Sequence, residues 1–165
     1  MQLQEQLKDY LNNISLMRSQ RRQPDWKFSC YEEIYLKYGI FMEPRVAPEE
    51  LKGAPSHCYY NCQQIIRKKK YKNLTYVEGY AIAPEVSFPI NHAWLVDSDG
   101  YAVDPTWRET GLLYFGIPLD NSWVKSFLKA RRRNYDLSIF TGNYLEGFSL
   151  LKEGLPSHAI VKIGN

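Results

Sequence analysis

The chain has 165 residues, 44% of them hydrophobic and 15% aromatic. That length suits one domain, and that apolar content excludes a disordered chain, which lacks the surface to offset its own entropy. Twenty-one Lys and Arg against 18 Asp and Glu leave a net charge of +3, too mild to argue by itself for a nucleic-acid partner.

In chain order, Leu3, Leu7, Tyr10, Leu11, Ile14 and Met17 form one apolar stripe at helical spacing. This first helix is expected to stop in the charged stretch before Pro24. Ser29-Cys-Tyr-Glu32 matches a capping box and predicts a second helix from Ser29, ending at Gly39. Residues 43–55 hold three prolines and a glycine and read as loop. A third helix is predicted from Ser56 or His57 to about Lys70. The period then changes. Residues 74–82 and 89–97 are rich in β-branched and aromatic residues and read as strands, with a further strand at 101–106. Ser98-Asp-Gly100 reads as the hairpin loop between the last two. A short apolar segment at 112–117 precedes a helix at about 121–132. A last helix at about 144–152 takes Asn143 as N-cap and stops at Gly154. The expected fold is α+β in one domain over 1–165, an antiparallel sheet packed against helices. Within it, 1–52 is an N-terminal helical region, 53–107 the core with the chemistry, and 108–165 a C-terminal helical region.

The candidate chemistry rests on few residues. The cysteines are Cys30, Cys58 and Cys62, and the histidines His57, His92 and His158. So sparse and odd a cysteine set points away from a disulfide framework and toward a reducing, cytoplasmic setting. No run of ~18 apolar residues suggests a membrane span, and the polar opening residues do not resemble a signal peptide. Cys58 opens the third helix, where the helix dipole favours a thiolate. His92 is a polar residue in an apolar strand, and Asp104 lies in the next strand. A thiol nucleophile needs a base, and the base needs an orienting acceptor. These three residues supply the roles.

The hairpin decides whether they meet. A three-residue loop with left-handed Gly100 sets Asp97 opposite Tyr101 and Asp104 opposite Trp94. His92 and Asp104 are then diagonal neighbours on one face. A two-residue turn would shift the register by one and point Asp104 to the other face.

Cys58 at a helix start, Tyr76-Val-Glu-Gly-Tyr80, His92-Ala-Trp94 and Asp104-Pro-Thr106 together resemble the core of the transglutaminase-like superfamily, which is related in architecture to papain-like cysteine proteases. The resemblance covers roughly residues 53–107, and Cys58-Tyr-Tyr-Asn61 with Tyr76-Val-Glu-Gly-Tyr80 is similar to small bacterial and phage proteins of that group. It implies Cys58 as nucleophile, His92 as base and Asp104 as orienting acid, acting on a peptide, protein or other amide-containing substrate without a cofactor. Ser56-His57 departs from the glycine-containing pair that often precedes the cysteine.

Other residues are weighed beside these. Cys62, one turn inside the helix, is a weaker nucleophile candidate. His57 reads as a first-turn or surface histidine and His158 as a loop residue. Asn61 is a candidate oxyanion or pocket residue, as is the backbone N–H of Cys58. Trp94 and Trp107 are candidate pocket walls, with core packing the equal alternative. Glu78 reads as a solvent-face strand residue. The scattered Cys and His offer no second ligand pair for zinc. Basic clusters at Arg18/Arg21/Arg22, Arg67–Lys72 and Lys129–Arg133 are accounted for mainly by helix C-termini. The alternative function is a non-catalytic interaction protein that uses these basic faces on protein or nucleic acid.

Overall fold

The computed structural model describes residues 2–131 and 137–164. The first helix, α1 (Leu3–Ser19), ends where expected. Leu7 and Leu11 are the fully buried members of its stripe, while Met17 faces solvent. The second, α2 (Tyr31–Tyr38), starts later than the capping box predicts, with Cys30 as N-cap. Glu33, not Glu32, reaches back to accept the Ser29 N–H at 2.8 Å and the Ser29 hydroxyl. Glu32 turns inward and accepts from Tyr80 Oη at 2.7 Å and from Arg18 at 2.9 Å.

Two strands follow, β1 (Ile40–Met42) and β2 (Pro44–Arg45). The second falls in the stretch predicted to be loop. Next comes α3 (Cys58–Ile66), which stops short of Lys70. Like charges at Arg67/Lys70 and Lys68/Lys72 stand three and four residues apart and oppose another turn. A 3-10 turn, Lys69–Tyr71, takes its place.

The remaining strands are β3 (Thr75–Ile82), β4 (Ile90–Val96), β5 (Ala102–Val103) and β6 (Leu113–Leu119). The sheet order is β1-β6-β3-β4-β5-β2. All neighbours are antiparallel except β2 and β5, which run parallel. The predicted antiparallel sheet is therefore a mixed one. The segment expected only as a short apolar run is β6, buried along its whole length between β1 and β3. The predicted strand 101–106 shrinks to β5, because Asp104 turns the chain and Pro105 has no N–H for a ladder.

The chain closes with α4 (Asn121–Lys129) and α5 (Ser149–Glu153). Arg132, the last residue of the predicted fourth helix, lies outside the described residues. The helix predicted at 144–152 is broken. A 3-10 turn, Asn143–Glu146, precedes α5, and Gly147 and Phe148 between them are both left-handed. Asn143 is not the cap of one helix. Its buried amide accepts from the Leu150 N–H and donates to Glu146, tying the two pieces together.

One face of the sheet carries Tyr76, Tyr80, Leu95, Phe115 and Ile117 into the main core against the helices. The other carries Val77, Trp94, Val96 and Tyr114 into a smaller cluster. Central β3 is covered on both faces, so Glu78 has no solvent face. It is 1% exposed and accepts from Tyr76 Oη, Ser138 Oγ and the Ile139 N–H. Among the described residues no helix is long and apolar enough to cross a membrane.

Candidate active site

The β4–β5 hairpin has the three-residue loop. Leu95 pairs with Val103 and Val96 with Ala102. The Asp97 N–H donates to Tyr101 O, the Gly100 N–H donates to Asp97 O, and Gly100 has φ +88°. The loop is pinned from both sides. Asp97 Oδ1 accepts the N–H groups of Asp99 and Tyr101, while Arg45 donates to Asp97 and Asp99. Extending this register puts Asp104 opposite Trp94 and diagonal to His92.

The side chains close that diagonal. His92 Nε2 donates to Asp104 Oδ2 at 2.7 Å, and each residue is 3% exposed. Cys58 interacts with the same imidazole. Since Asp104 holds Nε2, Nδ1 is the nitrogen left for the thiol. Trp107 stacks on the ring, with centroids 4.0 Å apart and planes 16° apart. Asp104 accepts three further hydrogen bonds: Tyr114 Oη at 3.0 Å, the Thr106 N–H at 2.8 Å and the Trp107 N–H at 3.3 Å.

The electrostatics follow from these contacts. Burial works against a charged His92, but the hydrogen bonds and charges of Asp104 and Cys58 outweigh it and raise its pKa to about 9. Burial likewise works against the Asp104 carboxylate. Its bond to His92 and the two backbone N–H donors prevail, holding it below the ordinary value. Both groups are driven toward the ion pair.

The segment ahead of Cys58 is stitched to the segment after Asp104, which explains how residues 46 apart in sequence come together. Gly53 N–H donates to Pro105 O, Lys52 Nζ to Trp107 O, and Asn61 Nδ2 to both Ala54 O and Thr106 Oγ1. Asn61 therefore spends both amide hydrogens on scaffolding. It has none left for an oxyanion, and that expectation is corrected.

Cys58, His92 and Trp107 line a cleft of about 820 Å³, together with Lys52, Asn91 and Arg108. Trp94 does not line it. Its indole is fully buried, donates to Met42 Sδ, and fills the space above Gly116, where an added Cβ would sit 2.6 Å from the ring. The N-cap of α3 is His57, which turns away to Pro55 O through Nδ1 at 2.7 Å. It leaves the first-turn N–H groups of Cys58 and Tyr59 without a side-chain cap, at the cleft wall.

No family model matches the chain, and no curated protein or solved structure matches it. What the site can do rests on its own geometry.

The other sulfur and imidazole groups sort clearly. Cys62 is fully buried, and burial pushes its thiol well above the usual range. Cys30 is buried and raised for the same first reason. His57 and His158 are exposed. Among the described residues no group of three or more His, Cys, Asp or Glu is placed to hold a metal. The residues that sequence reasoning misses are Tyr114, Thr106 and Lys52. Tyr114 lay in a segment read only as apolar, and no local pattern marks a tyrosine as a carboxylate's partner.

Proposed function

We propose that the chain is a cysteine-dependent acyl-transfer enzyme that hydrolyses an amide or isopeptide bond. The observation that carries this reading is the single imidazole shared by Cys58 and Asp104, at the wall of an open cleft. The proton of Cys58 resides on Nδ1 of His92, so that the nucleophile is a thiolate beside an imidazolium. The thiolate attacks the carbonyl carbon, and the C=O electrons move onto oxygen. The uncapped N–H groups at the start of α3 face that developing charge. The tetrahedral centre collapses, the C–N bond breaks, and the imidazolium gives its proton to the leaving amine. Water, deprotonated by His92, then attacks the thioester and releases the acid and Cys58. A conjugate acid stable to about pH 9 keeps the transferred proton on His92 until the amine needs it. Asp104 holds the ring orientation and offsets its charge.

The same residues match the transglutaminase-like pattern, and we assign the core to that architecture on this basis. Water as acceptor suits an open cleft. An amine in its place would make the reaction a transamidation.

The test is alkylation by iodoacetamide at pH 7, read by mass spectrometry. Cys58 is expected to label, with Cys30 and Cys62 protected by burial. Exposure alone explains that selectivity, so the rate in His92→Ala decides. A fall of ten-fold or more supports activation by His92. An unchanged rate overturns the proposal.

A further inference from the structure

At the end of α3 opposite Cys58, ~12 Å along the helix, lies a second hollow of about 490 Å³. Its lining includes Arg67, Lys68, Lys69, Lys72, Lys125 and Ser122, and no carboxylate is among its described lining residues. In a chain with a net charge of only +3, this is a strong local segregation of charge. Like charges so close together repel, and a bound anion would offset that cost.

Helix dipoles account for part of the cluster only. Arg67 and Lys68 follow the C-terminus of α3, where cations are favoured. Lys72 lies beyond the next 3-10 turn, and Lys125 stands in the middle of α4. Neither position draws on a helix C-terminus. Members of the other basic clusters have partners within the molecule. Arg18 pairs with Glu32, Arg22 holds the Trp26 and Lys27 carbonyls, and buried Arg131 pairs with Glu146. Arg132 and Arg133 of the third cluster lie outside the described residues.

We propose that this hollow binds a compact polyphosphate group, two or more phosphates a few ångströms apart. Its size is that of a small-molecule site. Its described lining is ammonium, guanidinium, hydroxyl and amide with one aliphatic side chain, Ile66, and holds no aromatic ring on which a nucleic-acid base could stack. The recognition is therefore of charge at short spacing rather than of an extended strand. The proposal is independent of the chemistry at Cys58.

The probe is inorganic tripolyphosphate, titrated calorimetrically into the full chain at low salt, with sulfate at matched ionic strength as control. Tripolyphosphate is expected to bind in preference to sulfate, and binding is expected to weaken as salt rises. Lys72→Glu with Lys125→Glu, both at exposed positions, is expected to weaken binding at least ten-fold. An unchanged urea midpoint in that variant shows that it folds. No preference for tripolyphosphate over sulfate, or binding that survives the double charge reversal, overturns the proposal. So does binding of a single-stranded oligonucleotide with none of tripolyphosphate, since that would make the face a strand-binding surface.

Discussion

Asp104 is the residue on which the candidate site turns, because four donors converge on its carboxylate. Asp104→Asn keeps the shape but removes the charge that holds His92 protonated. Turnover is expected to drop by ~10²–10⁴-fold, read as substrate hydrolysis or as the Cys58 alkylation rate. Tyr114→Phe removes one donor to Asp104 and the acceptor of the Gly111 N–H. A buried carboxylate short of a donor costs ~1–3 kcal/mol, which urea denaturation would measure. The pH dependence has a definite sign. The folded pKa of His92 is about 9 against an ordinary 6.5. Its stabilising contribution is full below pH ~6.5 and is lost as pH rises through about 9. That of Asp104, whose pKa is lowered, is present above its ordinary value and lost as pH falls below it. The urea midpoint is expected to fall between pH 6.5 and 9 in the native chain and to change less in His92→Gln. A native midpoint flat across that window would contradict a buried imidazolium–carboxylate pair.

At the scale of elements, the β4–β5 hairpin sets which face Asp104 occupies. Its register depends on Gly100 at φ +88° and on the Asp97 side chain accepting two loop N–H groups. Gly100→Ala is expected to cost ~1–2 kcal/mol, the strain of a left-handed side chain, measured as a lower urea midpoint. Local turn chemistry narrows this hairpin to a three-residue or a two-residue loop, and the left-handed Gly100 with the two N–H groups held by Asp97 selects the longer one. The helix that presents Cys58 was readable by period and position. Its length was not, because the charge run after Ile66 interrupts it. The break between Asn143 and Ser149 was not readable either. It depends on a buried asparagine whose partners lie on both pieces.

Across the whole molecule, buried polar contacts join the sheet to segments far away in sequence. Glu78 in β3 meets Ser138 and Ile139, and Arg131 holds the carbonyls of the same two residues. Burial, the largest influence on Glu78, raises its pKa. Glu78→Gln keeps a hydrogen-bonding side chain of the same shape, so stability is expected to stay within ~1 kcal/mol at pH 7. Glu78→Ala strands the Tyr76 and Ser138 hydroxyls and the Ile139 N–H and is expected to cost ~2–4 kcal/mol. Equal losses in the two variants would show that the network contributes only packing. The sequence by itself determined the α+β pattern and the order of thiol, imidazole and carboxylate, since both are read directly along the chain from periodicity and residue type. Only the tertiary structure decided that Asn61 is scaffold, that Trp94 is core, that Glu78 is buried and that Tyr114 holds Asp104. A polar side chain is buried when partners elsewhere in the fold satisfy it, and the chain writes no local mark of a partner it meets only after folding.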